Sequence, residues 1–167
     1  MIVHSFPPVI DENSKLLILG SMPGVVSLRA HQYYGHPRNY FWPILYEVFE
    51  HRAPDTEYER RLAFALSHQV ALWDSIAACE REGSLDADIK DVVPNEIPAL
   101  LRRFPQVETI VCNGGKSFAE LNKHHGKTHE IQSRTVIKLP STSPVPTAQY
   151  RGLQDRLAVW KVIETLV

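Results

Sequence analysis

Four short apolar runs, each stopped by glycine, proline or a polar residue, constrain this chain more than any other feature. Lys15-Leu16-Leu17-Ile18-Leu19 stops at Gly20, Val70-Ala71-Leu72-Trp73-Asp74 stops at its own carboxylate, Thr109-Ile110-Val111-Cys112 stops at Asn113-Gly114-Gly115, and Thr135-Val136-Ile137-Lys138-Leu139 stops at Pro140. Runs this short and this apolar read as strands, the first of them buried. Helical patterns lie between them. Phe41 to Phe49 suits a helix that tolerates Pro43 only in its first turn. Thr56-Glu57-Tyr58-Glu59 is a capping-box pattern, followed by Tyr58, Leu62 and Leu66 at helical spacing. Glu96 to Arg103 and Ser117 to Lys123 read as short helices, and Leu153, Leu157, Trp160 and Ile163 mark an amphipathic C-terminal helix. Strands alternating with helices imply an α/β fold, a three-layer α/β/α arrangement around a mostly parallel four-stranded sheet. With no repeat or long linker, residues 1–167 read as one domain.

In such a sheet, ligands bind beyond the carboxyl ends of the strands. Polar, Gly- and Pro-rich segments follow the first, third and fourth strands, so they converge on one cleft. A hydrophobic share of 44% and a charged share of 22% describe an ordinary globular chain. The net charge of −1 provides no global basic field, which argues mildly against a non-specific nucleic-acid binder. It is no obstacle to clamping a few phosphates locally. No stretch approaches the ~20 apolar residues of a membrane span, and Met1 to Pro8 lack the basic start and apolar core of a signal peptide. Cys79 and Cys112 form no CxxC motif. The expected setting is the cytoplasm.

Four segments carry candidate chemistry. Gly20-Ser21-Met22-Pro23-Gly24 is a tight turn in which backbone N–H groups can approach a ligand. In His36-Pro37-Arg38-Asn39-Tyr40-Phe41-Trp42, Asn39 serves either as a helix cap or as a functional amide. Asn113 places a donor and an acceptor at the end of the third strand. Leu139-Pro140-Ser141-Thr142-Ser143-Pro144-Val145 is a rigid loop whose hydroxyls suit phosphates and whose tip is apolar. Two other patterns are set aside. Gly115-Lys116-Ser117 lacks the first glycine of a phosphate-binding loop, because Ile110 stands in its place. His124, His125 and His129 come with no further ligand set and read as a solvated polar stretch.

In this order, the segments resemble the uracil-DNA glycosylase superfamily and, more narrowly, its hypoxanthine-DNA (deoxyinosine) glycosylase branch, family 6. The resemblance is carried by Gly20 to Gly24 with Ser27-Leu28, Tyr33 to Trp42, Val111 to Gly114, and Leu139 to Val145. Uracil-specific members usually carry Asp, Asn or Glu where Met22 stands, and many have His-Pro-Ser-Pro in place of Ser141-Thr142-Ser143-Pro144. The iron–sulfur branches need four cysteines, against two here.

The resemblance implies a base-excision-repair hydrolase that flips a deaminated base out of double- or single-stranded DNA and leaves an abasic site. It gives the catalytic place to Asn39, with the base bound by Gly20, Ser21, Met22, Tyr40, Phe41 and Asn113. Ser141, Thr142, Ser143, Pro144, Val145 and Arg151 are the expected DNA contacts. No metal or cofactor is implied, nor a membrane; the expected form is a monomeric prokaryotic enzyme acting at the nucleoid. Two alternatives stand beside hypoxanthine: a uracil or mismatched-thymine glycosylase of the same fold, and a non-catalytic module that binds damaged DNA.

Overall fold

The computed structural model describes residues 1–167. Its strands are β1 (Ile2–His4), β2 (Leu16–Gly20), β3 (Val70–Asp74), β4 (Ile76–Glu80), β5 (Lys90–Pro94), β6 (Thr109–Asn113) and β7 (Thr135–Leu139). The four apolar runs form one parallel sheet in the order β3-β2-β6-β7, with Ile18 opposite Leu72 on one side and Val111 on the other. The helices are α1 (Val25–Ala30), α2 (Phe41–Glu50), α3 (Tyr58–Ser67), α4 (Ile97–Arg103), α5 (Gly115–His125), α6 (His129–Gln132) and α7 (Leu153–Trp160).

Strand periodicity builds the three layers. Leu16, Ile18, Val70, Leu72 and Val111 face α2, α3 and α7 through Trp42, Leu45, Phe64 and Trp160. Leu17, Leu19, Ala71, Ile110 and Cys112 face α4, α5 and α6 through Leu101, Leu121 and Ile131. Every residue of β2 is buried, which explains its unbroken apolar run. Burying each large aliphatic side chain contributes about 1.5–3 kcal/mol.

A second, antiparallel sheet in the order β1-β4-β5 is not signalled by the apolar pattern. Ala77 and Ala78 are small and half-exposed, and the pairing of β4 with β5 shifts register twice. No period of two survives there. This sheet shelters a small third cluster of Met22, Ile76, Cys79 and Ile89.

Two local expectations are corrected. The Thr56 capping box does not form: α3 begins at Tyr58 with Glu57 as its cap residue and no side-chain cap bond. Of the three histidines, His129 is exposed at the start of α6, but the other two are not part of a solvated loop. His124 and His125 end α5, His124 Nε2 lies 2.9 Å from Glu120, and buried His125 meets the Asn95 carbonyl at 2.8 Å. No helix is long and apolar enough to cross a membrane.

Candidate active site

The turn after β2 has its carbonyls tied down and its amides free. Ser75 N–H donates to the Gly20 carbonyl at 2.8 Å and Ile76 N–H to the Ser21 carbonyl at 3.2 Å. The buried Arg81 guanidinium donates to the Pro23 carbonyl. The N–H groups of Ser21, Met22 and Gly24 donate to no group in the protein. The result is a backbone concavity of positive polarity at the carboxyl end of a central strand. The β4–β5 connection braces it from outside: Ser21 Oγ donates to Asp86 at 2.8 Å, and Val25 N–H to Ser84 Oγ at 2.9 Å. Met22 belongs to the site through its amide alone, because its side chain packs into the third cluster.

Asn39 precedes α2, whose cap residue is Tyr40. Its Oδ1 accepts Phe41 N–H at 2.9 Å, satisfying one of the helix's free amides. The capping role is therefore real. It leaves the Nδ2 group and one oxygen lone pair uncommitted. Tyr40 N–H donates to the Thr142 carbonyl at 2.9 Å, which joins this segment to the loop after β7. Phe41 corrects the sequence reading. It is fully buried, stacked on Tyr34 at 4.0 Å and edge-on to Trp42 and Trp160, so its ring offers no face to a base.

At the ends of β6 and β7, Gly114 adopts a φ of 99°, a left-handed value that disfavours any side chain, and Ser141 packs against it. That close approach lets Asn113 bond Thr142 twice. Thr142 N–H donates to Asn113 Oδ1 at 2.9 Å, and Asn113 Nδ2 donates to Thr142 Oγ1 at 3.0 Å. Arg156, 1% exposed, then holds the loop from beneath. It donates to the carbonyls of Ser141 at 2.8 Å, Gly152 at 2.9 Å, and Ser143 and Val145 at 3.0 Å each, with its guanidinium 4.9 Å from the Tyr40 ring centre. The loop tip, Val145, is 56% exposed. Arg151 is exposed and forms no ion pair; only its backbone N–H is engaged, by Asp155 at 3.0 Å.

Three residues not foreseen from sequence complete the site. The buried side-chain atoms without a hydrogen-bond partner are Tyr34 Oη, Asp74 Oδ2, and Arg81 Nε and Nη1. Buried orphans are rare in native proteins, and two of these residues, Tyr34 and Asp74, meet at Gly20. Tyr34 also has a left-handed φ of 54°. Burial pushes the Asp74 carboxyl up to about 7, with Asp86 adding to the shift and Arg81 opposing it. The available signal was a carboxylate at the carboxyl end of a buried strand.

The family model described as the uracil DNA glycosylase superfamily matches residues 7–166. The chain belongs to that superfamily. A hypoxanthine DNA glycosylase from Methanosarcina barkeri is 45% identical over 157 residues, 94% of each chain. One from Methanosarcina acetivorans is 39% identical over 163 residues, 98% of each chain. A solution NMR structure from Methanosarcina acetivorans, assigned by name to uracil DNA glycosylase, superposes with a TM-score of 0.79 at 34% identity, covering 98% of this chain and 97% of that one. The turn after β2, the segment before α2 and the loop after β7 are linked at the carboxyl end of the sheet, Tyr34 touching both Gly20 and Phe41. The hydrogen bonds through Thr142 are what bring the last two together.

Proposed function

We propose that this chain is a monofunctional DNA glycosylase that hydrolyses the N-glycosidic bond of hypoxanthine in deoxyinosine, leaving an abasic site. The substrate reading rests on the two relatives named hypoxanthine DNA glycosylase, which match nearly end to end. The observation that carries the reaction is the pair of free amides at Ser21 and Met22. Preorganised donors of this kind stabilise charge developing on a departing base, each by about 3 kcal/mol.

A base inside the duplex is out of reach, so the nucleotide is flipped at a cost of a few kcal/mol. The Ser141-to-Val145 loop clamps the backbone, with exposed Val145 filling the gap and Arg151 contacting a phosphate. Asn39 orients water toward C1′ with the part of its amide that capping leaves free. An amide has little basicity, but an oxocarbenium-like centre is electrophilic enough to need little.

Asn113 serves as a one-point reader. Thr142 occupies the side of its amide where oxygen and N–H lie together, so the remaining N–H and lone pair diverge. The free N–H suits the C6 carbonyl of hypoxanthine, and in adenine it meets an amino donor instead. Uracil offers the same carbonyl, so pocket size separates the two. The enzyme acts as a monomer on cytoplasmic DNA.

The test is single-turnover excision from matched duplexes carrying deoxyinosine, deoxyuridine or no lesion, scored by alkaline cleavage. Hypoxanthine is released faster than uracil, and adenine scarcely at all. Faster release of uracil overturns the substrate, and binding without release overturns the enzyme.

A further inference from the structure

The unpartnered Tyr34 hydroxyl and the Asp74 carboxyl meet at Gly20, a location that the mechanism above does not use. A methyl group built on Gly20 would lie 2.5 Å from Asp74 Oδ1 and 3.2 Å from Tyr34 Oη. Both polar groups therefore converge on the Gly20 Cα, where β2 gives way to the free amides of Ser21 and Met22. Only glycine admits them there. Asp74 is 4% exposed, and its Oδ1 lies against Gly20, so a base seated over that glycine is the group it would meet. Its position is fixed independently, because Asn95 Nδ2 donates to its carbonyl at 2.8 Å and Ser75 N–H holds the Gly20 carbonyl.

Resting on the hypoxanthine reading above, we propose that Asp74 is the general acid that protonates the departing purine at N7. The Asp74 O–H bond breaks as N7–H forms. The C1′–N9 bond breaks with its electron pair moving into the imidazole ring, so hypoxanthine leaves as a neutral N7–H tautomer. Water adds to C1′ and loses its second proton to solvent, and the Asp74 carboxylate regains a proton from solvent once the base departs.

The surroundings suit both protonation states. Burial and the nearby Asp86 keep the proton on Asp74 to about pH 7, the region where a general acid works best. Tyr34 lies beside it, Tyr33 and Tyr58 are near enough to feel its charge, and all three phenols stay neutral there, held above the usual range chiefly by burial. Arg81, which has no carboxylate partner of its own, stabilises the carboxylate after the proton leaves. Asn113 lies beside the Tyr34 hydroxyl, as Asp74 does through Gly20, so the amide and the acid converge on one point.

The experiment compares deoxyinosine with 7-deaza-2′-deoxyinosine, which carries carbon in place of N7, in identical duplexes. Wild-type and Asp74→Asn proteins are assayed under single turnover between about pH 5.5 and 8.5. On deoxyinosine, Asp74→Asn slows release about a hundredfold, the lower end of general-acid effects, and abolishes the decline in rate above about pH 7. On the 7-deaza substrate the two proteins are equally slow and neither shows that decline. Equal slowing of both substrates by Asp74→Asn, or an unchanged rate on deoxyinosine, overturns the proposal and leaves the substrate reading intact. Failure of the wild-type protein to release hypoxanthine overturns the substrate reading and the acid with it. If circular dichroism shows the variant unfolded, the wild-type pH profiles decide alone: a decline confined to deoxyinosine supports the acid, and one shared by both substrates overturns it.

Discussion

The Asn113 amide and Thr142 close a two-bond ring, with oxygen accepting from the backbone at 2.9 Å and nitrogen donating to the hydroxyl at 3.0 Å. Because a backbone N–H can only donate, the ring also fixes which end of the amide is oxygen. The Thr142 carbonyl in turn accepts Tyr40 N–H. One residue of the loop after β7 thus sets the orientation of Asn113 and the position of the segment holding Asn39.

Thr142→Val keeps the shape and removes the hydroxyl acceptor, leaving a buried N–H unpaired. Denaturant unfolding will show a loss of about 1–3 kcal/mol, the cost of such a group, and excision will fall because one bond instead of two then holds Asn113. Thr142→Ser will restore most of both. A variant with lost stability and full activity would separate Thr142 from the site.

Asn39 has two roles that different substitutions divide. Asn39→Asp retains an oxygen for Phe41 N–H, so thermal stability will stay near that of wild type, while the Nδ2 donor is lost. Asn39→Ala will lose about 0.5–2 kcal/mol of stability and roughly a hundredfold or more in single-turnover rate, the scale of one transition-state contact. Normal excision by Asn39→Ala would leave only the cap.

The two arginines of the clamp are expected to behave oppositely. Arg151→Ala will make the salt dependence of duplex binding shallower by about one unit, as loss of one phosphate contact requires, with unfolding unchanged. Arg156→Met will destabilise the fold, since four loop carbonyls lose their donor together. Its effect on DNA binding will follow the loss of loop order, visible as faster amide hydrogen exchange at 141–145.

Asp74 also makes stability depend on pH. In the folded protein it holds its proton to about pH 7, whereas in the unfolded chain it ionises near pH 4. Its stabilising contribution is therefore complete below about pH 4, is lost progressively from there to about pH 7, and is absent above. Asp74→Asn does not titrate. Its melting temperature relative to wild type will be constant below about pH 4, rise between about pH 4 and 7, and level off beyond. A flat difference across that range would mean that Asp74 is ionised throughout.

What the sequence conveys well is the sheet. Leu16 to Leu19 alternate between two buried faces, and that demand shows in four consecutive aliphatic residues. The converging segments were legible for the same reason, since strand ends fix where polar turns meet. Contacts between distant residues were not. Nothing near Asn113 announces that Thr142, 29 positions away, will hold its amide. Asp74 could be placed at a strand end, but its meeting with Gly20 depends on how β2 and β3 pair. Phe41 misled because it adjoins a functional segment while the first turn of α2 rotates its ring into the core.

The inward turn of Met22 bears on how members of this superfamily can diverge. Its side chain lies among Ile76, Cys79 and Ile89 beneath the antiparallel sheet, while only its amide faces the concavity. Restoring an acidic residue of the uracil-specific type by Met22→Asp would bury a carboxylate against hydrocarbon instead of delivering it to water at C1′, a placement costing several kcal/mol. Delivering a carboxylate from this position into the site therefore calls for a different course of the turn, and with it a change in the brace at Ser84 and Asp86.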